Sequence, residues 1–172
     1  MPFENRALGM GTRVKSFVSI VTQHFEDLSV GQKFGSGSQI VEASEITEFA
    51  GKFDPQPFHL SDESARHTIL GGLAASGWHT ASVSANLLIN SEFKLASGIV
   101  GLSVDELRWT SPLRPGDELN VETEILELRP SKSRPLYGVV KARITTFNQN
   151  HDIVQSYVLA LLALRKTPGS SP

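Results

Sequence analysis

Cysteine is absent from this sequence. That excludes a disulfide framework and thiolate metal sites, and it fits a reducing interior, so a cytoplasmic location is the expectation. An excess of one charge sign is also missing. The 16 Lys and Arg nearly balance 18 Asp and Glu, a formal net charge of −2, so nothing points to a nucleic-acid partner. No apolar run approaches the roughly 18 residues a membrane-spanning helix needs, and no membrane association is expected. The first twenty residues carry Arg6, Arg13 and Lys15 but lack the apolar stretch and small-residue cleavage site of a secretory signal. They are expected to be an N-terminal extension, and residues 167–172 a disordered tail. No internal repeat or low-complexity block appears. Two catalytic signatures are missing as well. There is no HExxH and no histidine pair at i, i+4 spacing, so no metal is expected. There is no GxSxG, which leaves a serine nucleophile without support.

What remains is ordinary globular material, 40% hydrophobic and 20% charged over 172 residues. It suits one domain, expected over residues 21–166. Phe34 to Val41 mixes Gly and Ser with Phe, Ile and Val and is expected as a strand. Ser44 is expected to cap a helix with Glu45 and Glu48 near its start and Ile46, Phe49 and Ala50 on one face. The stretch DPQPF is expected to be non-helical, because its two prolines fix the backbone and push their neighbours towards extended forms. Ser61 restarts a helix through DESARHT, which Gly71-Gly72 closes. The longest helical pattern is ASGWHTASVSANLLINSEF. Trp78, Ala81, Ala85, Leu88, Ile89 and Phe93 recur there at three- and four-residue steps, which predicts a buried helix.

The last seventy residues alternate as strands. Val100, Leu102 and Val104 share one parity and Leu107 and Trp109 the other, so a bulge is expected at Asp105 and Glu106. Pro115-Gly116-Asp117 is a turn. Leu119, Val121, Thr123 and Ile125 form the apolar face of a half-buried strand. Tyr137 to Thr146 is another strand. Ile153 to Leu164 is apolar on both parities, as in a strand covered on both faces. One buried helix followed by antiparallel strands is the α+β class. Strands apolar on both faces need more burial than one small sheet supplies, which predicts a two-fold homodimer.

The residues with chemical potential lie in FDPQPFH. Asp54 and His59 flank Pro55 and Pro57, and so stiff a loop can hold a carboxylate and an imidazole towards one point. Such a pair sharing a water is a general acid–base unit near neutral pH. On spacing alone, a turn-capping aspartate and a helix-capping histidine explain the same residues. Gly77 opens the long helix, where free N–H groups and the positive end of the dipole gather. A glycine there lets a substrate carbonyl approach, or it simply relieves crowding.

FDPQPFHLSDESAR, GGLAASGWHTA and SPLRPGDEL, in this order and spacing, resemble the MaoC-like dehydratase family, relatives of the (R)-specific enoyl-CoA hydratases. The resemblance runs from Phe25 to Lys166. The family motif is Asp-x-Asn-Pro-x-His; Asp54, Pro57 and His59 match it, and Gln56 replaces the asparagine. The family's later His-Gly pair is Ser76-Gly77 here. The resemblance implies a hotdog fold, usually dimeric, that adds water reversibly to a 2-enoyl thioester of CoA or a carrier protein. No cofactor is implied beyond the CoA of the substrate. Asp54 and His59 would be the acid–base pair, and the Gly77 N–H would meet the thioester oxygen. Gln56, Ser76 and Trp78 are candidate substrate contacts. Arg108 and Arg114 lie where the family's substrate channel runs and are candidates for CoA phosphates, as are Lys132 and Arg134, although long surface arginines are more often solvated. His67 and His79 are expected to be structural or partly exposed. Two rivals share the fold: an acyl-CoA thioesterase, which the Asp-x₄-His pattern disfavours, and a non-catalytic acyl-CoA-binding subunit, which would need neither residue.

Overall fold

The computed structural model describes residues 22–166. The expected extension and tail lie outside the described residues. After a short 3₁₀ turn at Phe25–Asp27 come strands β1 (Lys33–Gly35) and β2 (Gln39–Ile40) and helices α1 (Ala43–Phe53), α2 (Pro57–Leu60), α3 (Asp62–Ala65) and α4 (Gly77–Ile89). Strands β3 (Val100–Trp109), β4 (Glu118–Pro130), β5 (Tyr137–Phe147) and β6 (Ile153–Leu164) complete the described chain. All strand pairing is antiparallel, in the order β1-β4-β5-β6-β3, with β2 also pairing to β4.

One face of this sheet packs on α4. Val121 and Ile125 of β4, Val140 and Ile144 of β5 and Leu161 of β6 share one core with Val83, Leu87 and Leu88 of α4. Each large apolar side chain taken fully from water stabilises by about 1.5–3 kcal/mol. A buried polar contact also ties the helix to the sheet, Thr146 Oγ1 donating to Ser84 Oγ at 2.9 Å. The alternation expected in β4 is present: Leu119, Val121, Thr123 and Ile125 are all buried. In β6 both parities are buried, as its sequence requires. The break in β3 falls where the parity changes, with a register shift between Asp105 and Arg108 and Glu106 at φ 55°. Gly116 has φ 85°, the left-handed conformation that a turn before β4 needs.

Several local expectations are corrected. Phe34–Val41 is two short strands rather than one: the Ser36 N–H still donates to the Val121 carbonyl (3.0 Å), but the Val121 N–H donates to the Ser36 hydroxyl (2.8 Å) and the ladder stops there. Helix α1 begins after Glu42 rather than Ser44, and the Glu45 carboxylate accepts from the Glu42 N–H (2.8 Å). Part of DPQPF is helical: Pro57 is the first residue of α2, a position that needs no N–H donor. Ser61 does cap α3, accepting from Ser64 N, but that helix ends at Ala65, well short of Thr68. Helix α4 is rotated relative to the expected stripe. His79, Thr80, Val83, Ser84, Leu87 and Leu88 face the core, whereas Trp78 and Ile89 are exposed. Phe93 is buried, but beyond the helix end.

Candidate active site

Asp54 ends α1, its own N–H still bonded to the Ala50 carbonyl (3.0 Å). Pro55 cannot continue the helix, and Gln56 N–H closes back on the Asp54 carbonyl (2.7 Å), so the chain turns at once into α2. His59 sits on that single helical turn and is buried. Its Nδ1 lies 2.7 Å from the Ala74 carbonyl oxygen. A carbonyl can only accept, so Nδ1 carries a proton, and in the neutral ring Nε2 presents its lone pair. Nε2 lies 3.5 Å from Asp54 Oδ2. The stiff loop therefore brings aspartate and histidine together, with two acceptor atoms facing one space.

Ser76 also holds the carboxylate. It is the N-cap of α4, its Oγ accepting from Trp78 N (3.2 Å) while donating to Asp54 Oδ2 (2.7 Å). Gln56 Nε2 donates to the other oxygen, Oδ1, at 2.7 Å. The Ser76 hydrogen bond, aided by Gln56 and by attraction to the His59 ring, holds the Asp54 carboxyl below its ordinary value against the opposing effect of burial. Asp54 is thus a carboxylate throughout the neutral range.

These groups open into a cavity of about 540 Å³ whose walls are largely apolar. Phe58, Ala75, Leu113, Ile69, Trp78 and Trp109 are among the apolar residues that line it, with Thr68, Leu70 and Gly77 beside them. Sequence alone predicts Trp109 only on a strand's apolar face, not at the cavity. Its indole occupies the room in which a Cβ on Gly77 would stand, 2.6 Å from the nearest ring atom. It is anchored by Nε1 donating to Gln155 Oε1 (2.8 Å), and it meets Trp78 edge to face at 5.5 Å. The glycine is therefore required by close packing, and among the described residues no hydrogen-bond acceptor is recorded for its N–H. The Ala74 carbonyl is a second feature invisible in sequence, because a backbone atom carries no residue signature.

Gln56, Ser76 and Trp78 all line the cavity; Arg108 and Arg114 do not. Arg108 is exposed on β3. The guanidinium of Arg114 donates to the carbonyls of Leu70, Gly72 and Leu73. Lys132 and Arg134 are exposed in the turn between β4 and β5. His67 is exposed, while His79 is buried and stacked on Phe49 (4.8 Å between centroids, 11° between planes). Burial holds the His79 imidazole pKa below its usual value, partly offset by Glu45. Among the described residues, no three His, Asp or Glu side chains cluster as a metal site, and no helix is long and apolar enough to cross a membrane.

The sequence pattern of the MaoC like domain matches residues 26–146. A crystal structure of a MaoC-like dehydratase from Rhodospirillum rubrum is 50% identical and superposes with a TM-score of 0.81, covering 84% of this chain and 99% of that one. The 3-hydroxybutyryl-CoA dehydratase of Methylorubrum extorquens is 34% identical over 116 residues, 64% of this chain and 69% of that protein. The uncharacterized protein YdeM of Bacillus subtilis is 31% identical over 140 residues, 81% of this chain and 98% of its own.

Proposed function

This chain belongs to the MaoC-like dehydratase family of hotdog proteins, and from that premise we propose that it adds water reversibly to a 2-enoyl thioester at Asp54 and His59. The supporting observation is the pair of acceptors, Asp54 Oδ2 and His59 Nε2, 3.5 Å apart on the wall of an apolar cavity. A water placed between them would give one O–H to each. An imidazole is by nature a stronger base than a carboxylate, and Ser76 and Gln56 weaken Asp54 further as a base. His59 is therefore the proton acceptor, while Asp54 orients the water and balances the imidazolium that forms.

In this mechanism the water oxygen bonds to the β-carbon as its proton passes to Nε2. The π electrons move towards the thioester oxygen, giving an enolate. His59 then returns the proton to the α-carbon, so the elements of one water are added and no electrons are exchanged with a cofactor. The Gly77 N–H, at the positive end of α4, stabilises the enolate oxygen more than the ground-state carbonyl. The name of the Methylorubrum relative favours a CoA thioester, with a carrier-protein thioester using the same chemistry. The purified protein, given 2-enoyl-CoAs of increasing length, is expected to bleach the conjugated thioester absorbance without releasing free thiol. Thiol release would mark a thioesterase instead, and neither change would leave a binding subunit.

The same reading includes a two-fold dimer. Strand β3 is a ten-residue edge strand with Val100, Leu102 and Val104 exposed. Beside it, Trp78, Ala81 and Ile89 of α4 and Val104 and Leu107 of β3 line an apolar recess of about 280 Å³. A second copy paired along β3 would cover both features.

A further inference from the structure

Arg114 stands just before the turn into β4, where its N–H donates to Asp117 Oδ2 (2.7 Å). Its guanidinium reaches back to the connection between α3 and α4. There Nη1 donates to the carbonyls of Gly72 (2.6 Å) and Leu73 (3.1 Å), and Nη2 donates to that of Leu70. Residues 70–76 form no helix or strand, so these carbonyls have no ladder to join. Asp62 Oδ1 accepts from Leu73 N (3.0 Å), and Ala75 N donates to the Leu113 carbonyl (2.9 Å). A cation and a carboxylate thus hold an irregular segment, alongside backbone ties such as Gly71 N–H to the Thr68 carbonyl (3.0 Å).

Both ends of that segment face the cavity. At one end, Thr68, Ile69 and Leu70 form a wall, and Ile69 is completely exposed at 102% of its reference area. An isoleucine left wholly in water on the rim of an apolar cavity gains most when an apolar ligand covers it. At the other end, the Ala74 carbonyl holds the proton of His59. The guanidinium suits this task because its donors diverge in a rigid plane and can bind three separate carbonyls at once. An ammonium is a point charge on a flexible stem and cannot fix three carbonyls in a plane.

We propose that Arg114 is a positioning residue for acyl-chain selection, holding the Thr68–Leu70 wall against which the distal part of the acyl chain packs. This rests on the cavity being the seat of an enoyl thioester. Short chains, which need only the Asp54–His59 end, depend little on the wall, and chains long enough to reach Leu70 and Ile69 depend on it.

The test compares the wild type with Arg114→Met and Arg114→Lys on 2-enoyl-CoAs from four to ten carbons. In Arg114→Met, KM is expected to rise about tenfold or more for the longer chains, as loss of charge-assisted hydrogen bonds implies. The four-carbon KM and kcat should stay within about threefold, and Lys should restore only part of the selectivity. Hydrogen exchange should increase in residues 66–73, but not at Ala75, whose N–H is tied separately to the Leu113 carbonyl, nor in β4–β6. The chain has two tryptophans, Trp78 and Trp109, and both line the cavity, so quenching by saturated acyl-CoAs measures binding without turnover. A wild type that binds acyl chains but hydrates none sinks the proposed function, and the length dependence of Kd in Arg114→Met then decides this inference. A variant with an unchanged length profile overturns it, whether or not the segment loosens. So does an equal loss at every length with a lowered melting temperature, which marks a merely structural residue. A wild type that neither binds nor hydrates any chain overturns both readings.

Discussion

Asp54 accepts on both oxygens, and each donor has a separate consequence. Gln56 holds Oδ1, while Ser76 and the space beside His59 share Oδ2. If Asp54 and His59 grip one water, Asp54→Asn and His59→Ala should each lower kcat by about 10²–10⁴. The double variant should fall little below the worse single one, since residues acting as a unit are non-additive. Melting curves on the same variants should differ. Asp54→Asn should be mild, whereas His59→Ala leaves the Ala74 carbonyl unpaired beside a buried hole and should cost about 1–3 kcal/mol. Normal turnover in either single variant would end the mechanism. The pH response follows from the lowered Asp54 pKa, whose largest cause is the Ser76 hydroxyl. A carboxyl with a folded value below its unfolded one contributes stability in full above the ordinary carboxylate range, and loses it as pH falls through the folded value. Removing the hydroxyl in Ser76→Ala raises that folded value, so the acid limb of the stability–pH profile should move to higher pH. Ser76→Thr, which keeps the hydroxyl, should leave it in place; equal profiles for all three proteins would remove Ser76 from the account.

Helix α4 and strand β3 meet where Gly77 touches Trp109, and that contact changes what a substitution at Gly77 tests. A side chain there forces the indole away from Gln155 and Trp78 before it can obstruct a substrate. Gly77→Ala should therefore destabilise by about 1–3 kcal/mol through overpacking. Trp109→Leu in the same background should recover part of the loss in a thermal melt, because the smaller side chain frees the space. If the double variant melts lower than either single one, the two residues do not compete for one volume. The strands were legible wherever alternation was strict, as in β4, and where both parities were apolar, as in β6. The face of α4 was not, because Ala, Ser and Thr suit a core or a tight interface equally and give little contrast around the helix. Val83 and Leu87 define its core side, while Trp78, Ala81 and Ile89 line the recess by β3.

The proposed dimer gives those outward apolar residues a partner. The bulge at Glu106 serves it, since it brings Val104 and Leu107, of opposite parity in sequence, onto the walls of one recess. The wild type should scatter light as a dimer at micromolar concentration, and Val104→Lys should shift it towards monomer by placing a charge on the pairing edge. A monomeric wild type would leave the exposed face of β3 unexplained. Because Trp78 belongs to both the recess and the cavity at Asp54 and His59, a dissociating variant should also lose the proposed activity, and restoring high protein concentration should return it.

The sequence by itself determined the α+β class, the order and character of the long elements, and the stiff turn that presents Asp54 and His59. These follow from periodicity, from proline geometry and from a motif confined to six consecutive positions. Tertiary structure alone decided which carbonyl fixes the histidine tautomer, which hydroxyl lowers the aspartate pKa, and why position 77 must lack a side chain. It also brought the Arg114 guanidinium onto the carbonyls of Leu70, Gly72 and Leu73. Each of these depends on atoms brought together from distant parts of the chain. Ser76 lies 22 residues from Asp54, and Gln155 lies 46 from Trp109. Spacing along a chain sets local geometry, but hydrogen bonding and packing depend on separation in space, which only the folded sheet and helix supply.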